Sequence, residues 1–311
     1  MKRVLITGVS GYIGGKLASA LEKNDQVECL AGLDVREPKT PFKRLLFLKQ
    51  DIRQPFDHIL EEHQIDTVVH TAWVVEQMRN TAEAEDINKS GTLNVLYCCV
   101  KTNVSRILYT SSTTAYGFHP DNPIPLTEES PLRGNEDFTY GKNKREIEDV
   151  FEEFIREHPE INVTVLRPCF VVGPGFDNGM SRYLTQGKIP LPSQTAPMQF
   201  VHEDDLLRAI LHCLEKSVKG VFNIAGHGTM TFEEMADVQG HKTVNLPDFL
   251  LNGLTTLLYA LRLKDTKKSS LNMARYPWIA SPEKFIKQTG FEYVYNTKSA
   301  FEDFVKHIQS Q

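Results

Sequence analysis

Short apolar runs alternate with amphipathic stretches over the first two-thirds of the chain. Val4–Gly8, Val27–Val35, Leu45–Lys49, Thr67–Ala72, Ile107–Ser111 and Val163–Val172 are rich in Val, Ile and Leu and read as strands. Most are apolar on both faces, as parallel strands covered by helices must be. Between them, Ile13–Lys23, Phe56–His63, Glu83–Lys101 and Phe138–His158 carry apolar residues at helical spacing. This alternation predicts an α/β fold built on a doubly wound parallel sheet.

The pattern changes after Gly173. Gly173-Pro174-Gly175 and the stretch from Pro190 to Pro197 are loop chemistry. Phe200–Val201 and Val221–Ile224 read as two more strands, with a helix over Glu203–Leu214 between them. Thr231-x-x-Glu234 is a capping box that opens another helix. The organisation expected is a main domain of residues 1–173 plus 198–226, with a smaller α/β substrate domain from 174–197 plus 227–311. Residues 247–263 are the most apolar stretch of that second part. A helix buried against the small domain is the plain expectation. The alternatives are an apolar wall beside a substrate, or a surface for a membrane or second subunit. With Asp248, Asn252 and Arg262 inside it, the stretch is marginal for spanning a bilayer, and no membrane span is expected.

Composition narrows the classes. With 311 residues, 41% hydrophobic and 24% charged, the chain is ordinary globular material, which excludes a disordered, collagenous or coiled-coil protein. A net charge of −5 with no long run of one sign makes a nucleic-acid partner unexpected. The basic start Met1-Lys2-Arg3 is followed by an apolar run that glycines, a serine and a lysine break too soon for a secretion signal. A cytoplasmic protein is expected. The five cysteines lack C-x-x-C spacing and read as buried, reduced thiols. The 10 histidines show no metal-ligand spacing, so no metal is expected.

The strongest single motif is Thr7-Gly8-Val9-Ser10-Gly11-Tyr12-Ile13-Gly14, which follows the first strand and opens the first helix. Its glycines (Gly8, Gly11, Gly14) permit a tight turn and close backbone approach to a pyrophosphate, and the helix N-terminus supplies N–H groups and partial positive charge. Ser10, Tyr12 and Ile13 would share in that loop. Asp34, at the end of the second strand, can accept both adenosine ribose hydroxyls and would repel a 2′-phosphate, which favours NAD over NADP. Arg36 works the other way, since a guanidinium could pair with such a phosphate. Asp51 and Ile52 end the third strand and could bracket the adenine; a solvated carboxylate is the alternative. His70-Thr71-Ala72 ends the fourth, where Ala72 lets the backbone pass close to the cofactor and His70 either faces it or is packed.

Tyr-x-x-x-Lys places a phenol and an ammonium on one helix face. The chain has this spacing three times, at Tyr12/Lys16, Tyr97/Lys101 and Tyr140/Lys144. Only the last begins the helix after the fifth strand, whose end carries Ser111-Ser112-Thr113, where ligands of a parallel sheet bind. Oxidising a secondary alcohol requires removal of its hydroxyl proton. A phenol of pKa near 10 is a poor base at neutral pH, and a nearby ammonium favours its phenolate. Ser112 would hold the substrate oxygen, with Ser111 towards the cofactor and Thr113 a further hydroxyl towards the substrate.

These residues resemble the extended short-chain dehydrogenase/reductase family, in its NAD-dependent epimerase/dehydratase branch. The motifs continue with Asp51-Ile52-Arg53, Asn88-x-x-Gly91-Thr92-x-Asn94, Ser111 to Gly117, Tyr140-Gly141-Lys142-Asn143-Lys144, Leu166-Arg167-Pro168 and Phe200 to Asp205. Residues 1–226 carry the likeness well and the remainder loosely. The resemblance implies a Rossmann fold and NAD as cofactor. It implies Tyr140 as general base, Lys144 as the residue that lowers its pKa and holds the nicotinamide ribose, and Ser112 as donor to the substrate oxygen. Asn88 would support the cofactor side and Pro168 would lie along the nicotinamide. It also implies a homodimer through the helices around Asn88 and Tyr140.

Three departures from the family's patterns bear on substrate. Thr114-Ala115 stands where dehydratases carry Asp-Glu, so sugar dehydration is not expected. Phe170 stands where many sugar-nucleotide epimerases have Asn, and Met198-Gln199 where they have Arg-Asp. The leading expectation is an NAD-dependent oxidoreductase or epimerase acting on a small-molecule secondary alcohol or ketone, in the manner of a nucleotide-sugar 4-epimerase. A dehydrogenase or reductase of a less polar substrate is the alternative, and a non-catalytic NAD sensor a third.

Overall fold

The computed structural model describes residues 2–74, 81–176, 188–261 and 271–310. Seven parallel strands make the main sheet: β1 (Arg3–Thr7), β2 (Cys29–Asp34), β3 (Leu45–Lys49), β4 (Thr67–His70), β5 (Arg106–Thr110), β6 (Asn162–Pro168) and β10 (Gly220–Ile224). Their order is β10-β6-β5-β4-β1-β2-β3. β1 pairs with β2 on one side and β4 on the other, so successive connections leave it in opposite directions. A ligand crevice opens at such a switch point, beyond the carboxyl ends of the strands.

Side chains alternate across each strand. Val4 and Ile6 point to one face, into a core with α1 (Tyr12–Leu21) and α5 (Glu203–Lys216). Leu5 points to the other, with α2 (Asp57–Glu62), α3 (Thr81–Lys101) and α4 (Thr139–Glu157). Two dry cores on opposite faces explain why these strands are apolar throughout.

The expected strand Val163–Val172 is in fact two. Pro168 offers no N–H to a ladder, so β6 ends there. The Cys169 N–H donates to the Ile224 carbonyl at 2.9 Å, and β7 (Phe170–Val172) turns away to pair with β9 (Phe200–His202). Phe200–Val201 thus lies outside the main sheet, whereas Val221–Ile224 falls within β10 at its edge.

A third core holds Tyr116, Phe118, Met198 and Trp278 together with α6 (Phe232–Gln239) and α10 (Thr297–Gln309). The capping box of α6 is formed: the Thr231 N–H donates to Glu234 at 2.7 Å, and the Glu234 N–H to the Thr231 hydroxyl at 3.1 Å. β8 (Lys188–Leu191) pairs with β11 (Lys242–Asn245). The C-terminal segment does not pack wholly on itself. After α8 (Asn272–Arg275), α9 (Glu283–Thr289) returns to the main sheet and stacks Phe285 edge-on to Phe222 at 5.4 Å.

The apolar stretch 247–263 contains α7 (Asp248–Ala260), and burial is the wrong expectation for it. Leu251 is 3% exposed, but Phe249 is 74%, Leu250 51%, Leu254 48%, Leu257 54% and Leu261 58% exposed. Polar contacts hold its inner side: Ser193 donates to Asp248 through N–H and hydroxyl, and Arg275 donates to Asn252 at 2.8 Å. Among the described residues no helix is long and apolar enough to cross a membrane. On α3, Val95, Leu96, Cys98 and Cys99 are buried, while Leu93 and Tyr97 are exposed on the outer face.

Candidate active site

The glycine loop lies at the switch point. Gly8 has φ +75°, and a Cβ there would sit 2.6 Å from the Ala72 backbone. A Cβ on Gly14 would lie 2.2 Å from the Gly8 carbonyl oxygen, so no side chain fits where α1 passes over the loop. α1 starts with no side-chain cap and no acidic residue in its first turn, which leaves that turn open to an anion. This cradle fits a dinucleotide pyrophosphate. Ile13 packs into the core below, and the Tyr12 hydroxyl is taken up by Glu203. The loop offers backbone here, with no phenol left over.

Asp34 is 8% exposed and already organised. One carboxylate oxygen accepts from the Ser10 N–H and the other from the Arg36 N–H, each at 3.0 Å. Arg36 is 75% exposed, with its Nε 4.0 Å from Asp34. Asp51 is held by Arg53 at 2.6 Å, and hydrogen bonding to that guanidinium keeps its carboxyl below the usual range. Ile52 is buried against Gly91, where a Cβ would come 2.5 Å from it. His70 does not present its ring to the cleft. Nδ1 meets the Thr7 hydroxyl at 2.7 Å and Nε2 the Thr92 hydroxyl at 2.9 Å. Burial, then the charge of Lys144, pushes its pKa down to about 3, so it is a neutral packed histidine. What this strand end offers a cofactor is the backbone of Thr71 and Ala72. Asn88 steadies that segment by accepting from the Val74 N–H at 2.9 Å.

Beyond β5, the Ser111 N–H donates to Leu166 at 2.7 Å and fixes the strand end. Ser112 then caps a short 3₁₀ turn, Thr113–Tyr116. Its Oγ accepts from the Thr114 N–H at 3.2 Å and the Thr114 hydroxyl at 3.0 Å. A hydroxyl with two hydrogen bonds accepted has its own proton left to give. That is what a donor to a substrate oxygen needs. The Thr113 hydroxyl is buried and has no partner among the described residues.

Tyr140 opens α4, half-buried, at the same end of the sheet. Burial pushes its phenol up to about 12, and the Ser112 hydroxyl draws it back. One turn on, Lys144 is 2% exposed. Its ammonium donates to the Thr110 carbonyl at 2.8 Å and the Tyr109 hydroxyl at 3.1 Å, and lies 3.6 Å from the centre of the Trp73 ring. Another turn on, Glu148 is bound by Arg167 through both oxygens, at 2.9 and 2.8 Å.

Of the expected substrate residues, Phe170 is half-buried, edge-on to Phe176, Phe200 and Trp278 at 5.5–6.5 Å. Met198 is 1% exposed and cannot line a pocket, because its backbone pairs with Met230 and its side chain fills the third core. Pro168 ends β6, buried beside Ile224.

Residues 4–225 match the model of the NAD dependent epimerase/dehydratase family. The chain belongs to that family. Proteins similar to it include an uncharacterized protein of Mycobacterium tuberculosis, 27% identical over 98% of this chain and 84% of that one. A UDP-glucose 4-epimerase of Pasteurella multocida is also 27% identical, over 69% of this chain and 71% of its own. Among solved structures, a UDP-glucose 4-epimerase of Thermotoga maritima with UDP-glucose has TM-score 0.76 at 22% identity, covering 99% of each chain. A dTDP-glucose 4,6-dehydratase of Streptomyces venezuelae, solved with NAD, matches with TM-score 0.76 at 22% identity over 99% and 97%. These likenesses extend the shared fold of the epimerase/dehydratase family to the whole chain.

Of the other residues around this site, Trp73, Tyr109 and Glu148 lie outside the motifs, and Arg167 and Glu203 lie within motifs that assign them no role. Glu148 is the one with a signal, since Tyr140, Lys144 and Glu148 recur every four residues. Glu203 reads as an ordinary first-turn carboxylate, yet it is 1% exposed. It accepts from the Tyr12 hydroxyl and the Gly175 N–H, and lies 2.7 Å from Lys16. The first Tyr-x-x-x-Lys pair thus fastens the loop that leaves β7.

Proposed function

We propose that this protein binds NAD and uses Ser112, Tyr140 and Lys144 to interconvert a secondary alcohol and its ketone, as a nucleotide-sugar 4-epimerase does. The observation that carries the reading is the buried Lys144 ammonium one helical turn from Tyr140, beside a Ser112 hydroxyl that accepts two hydrogen bonds and has a proton to give. Bound NAD supplies the acceptor and donor of hydride. Tyr140, as phenolate, takes the substrate hydroxyl proton and returns it when the alcohol is re-formed. Ser112 donates to the substrate oxygen and holds it against Tyr140. Lys144 contributes the positive charge that makes phenolate accessible. The relatives that are UDP-glucose 4-epimerases support this reading, and interconversion of UDP-glucose and UDP-galactose by the purified protein tests it.

NAD is preferred to NADP in this reading, because a 2′-phosphate would meet the Asp34 carboxylate while Arg36 is turned to solvent. Calorimetry is expected to show tighter binding of NAD, and Asp34→Ala to narrow the gap. Equal or tighter NADP binding by the wild type would assign the pocket to Arg36.

A second reading, a dehydrogenase or reductase of a less polar alcohol or ketone, is favoured by the aromatic surroundings of Phe170. Under it UDP binds weakly, with Kd above roughly 1 mM. A titration giving micromolar UDP affinity returns the site to nucleotide-sugars.

A further inference from the structure

We infer that Trp73 is a positioning residue of this site, whose indole face holds the Lys144 ammonium in place beside Tyr140. The inference rests on the Ser112, Tyr140 and Lys144 reading of the chemistry. An ammonium as buried as Lys144 pays for its lost hydration, and burial pulls its pKa well below the ordinary value. If it gave up its proton there, the phenolate would lose its counter-charge.

Among the described residues, four ionisable groups face Lys144 from the elements around it. On β4, His70 is neutral and buried. On β5, the Tyr109 hydroxyl accepts from the ammonium, and its ring lies 4.8 Å from it. On α4 are Tyr140 and Glu148, the second attracting the ammonium but bound at both oxygens by Arg167 of β6. None of these is an uncommitted anion.

Trp73 supplies the remaining attraction. Its ring centre is 3.6 Å from Nζ, well inside the range of a cation–π contact, and indole is the strongest such face. The ring has no charge to be neutralised and no proton to exchange, so it favours the ammonium without competing as a base. Two directions from Nζ are filled by the Thr110 carbonyl and Tyr109 hydroxyl, and the indole face fills a third. Trp73 also stands edge-on to Tyr140 at 6.3 Å, and directly follows Ala72 in the chain. Its Nε1 is buried with no partner among the described residues, so no hydrogen bond of its own there orients the ring.

The experiment is a pH titration of phenolate absorbance in the NAD-saturated protein. Subtracting the same titration of Tyr140→Phe isolates the Tyr140 step. Trp73→Leu and Trp73→Met, which remove the π face, are expected to move that step upward by about one pH unit. Trp73→Phe, which keeps a π face, is expected to move it less than half as far. A Tyr140 step unchanged in the Leu and Met variants overturns the inference, as does an equal shift in Trp73→Phe. Absence of any Tyr140-dependent step overturns the reading of the site itself, which is a different result. Calorimetric NAD binding by each variant shows that it is folded.

Discussion

Tyr140→Phe is expected to fold, to bind NAD, and to lose about 10²–10⁴ in turnover, the usual worth of a positioned acid–base group. The substitution removes one oxygen from a half-buried ring. The packing of that ring against Trp73 and Phe138 is untouched, so melting temperature should hardly move. Loss of rate with unchanged stability and cofactor affinity is the signature of chemistry. Two other tyrosines share its spacing to a lysine and make the controls. Tyr97 is 60% exposed on α3, and Tyr97→Phe should change nothing measurable. Tyr12→Phe should cost stability, because it removes a hydrogen bond to the buried Glu203 carboxylate, but far less turnover. Near-full activity of Tyr140→Phe on a confirmed substrate would overturn its assignment as the base.

Arg167→Met should be the most destabilising single change around the site. The Arg167–Glu148 pair is 7% and 3% exposed, and removing one partner strands a buried charge, at about 3–5 kcal/mol. Arg167 also donates to the Tyr116 hydroxyl at 2.9 Å, which in turn donates to Asn223 at 2.9 Å. One guanidinium therefore joins α4 to the 3₁₀ turn and to β10. For a chain of 311 residues the expected fall in melting temperature is about 5–8 °C. The double variant Glu148→Leu with Arg167→Met should recover much of the loss, since no charge is left unpaired. Calorimetry of the three variants checks both claims. An equal loss in the double variant would trace the effect to Tyr116 and packing.

Much of this fold is legible because a parallel sheet covered on both faces must be written in apolar runs. β2, β3 and β4 fall within the runs read from sequence, and α3 and α4 within two residues of theirs. The places where pattern misleads have physical causes. In Val163–Val172 the apolar run continues past Pro168, but after the Cys169 bond to Ile224 the chain leaves the main sheet to pair with β9. In α7 leucine content suggests burial, although it states only what water disfavours and not what covers it. Around the site, Tyr140 and Lys144 could be separated from two decoys because strand context is visible in sequence. Trp73 could not be found that way, since it sits in an aperiodic segment after β4 and meets Lys144 only through tertiary packing. Met198 and His70 look like site residues by position, yet their side chains turn into the core.

The place of β10 in the sheet sets a condition on synthesis. β6 is interior in the finished protein, flanked by β5 and β10. On the ribosome its outer partner emerges roughly fifty residues later. At about 5–20 residues per second that is an interval of several seconds. Through that time Asn162–Pro168 is an apolar edge with unpaired N–H and C=O groups, the form in which strands recruit other chains. A pause in translation between Pro168 and Gly220, or truncation there, should therefore send the protein into aggregates, whereas a stop after Ile224 keeps all seven strands but loses the cover that α9 gives β10.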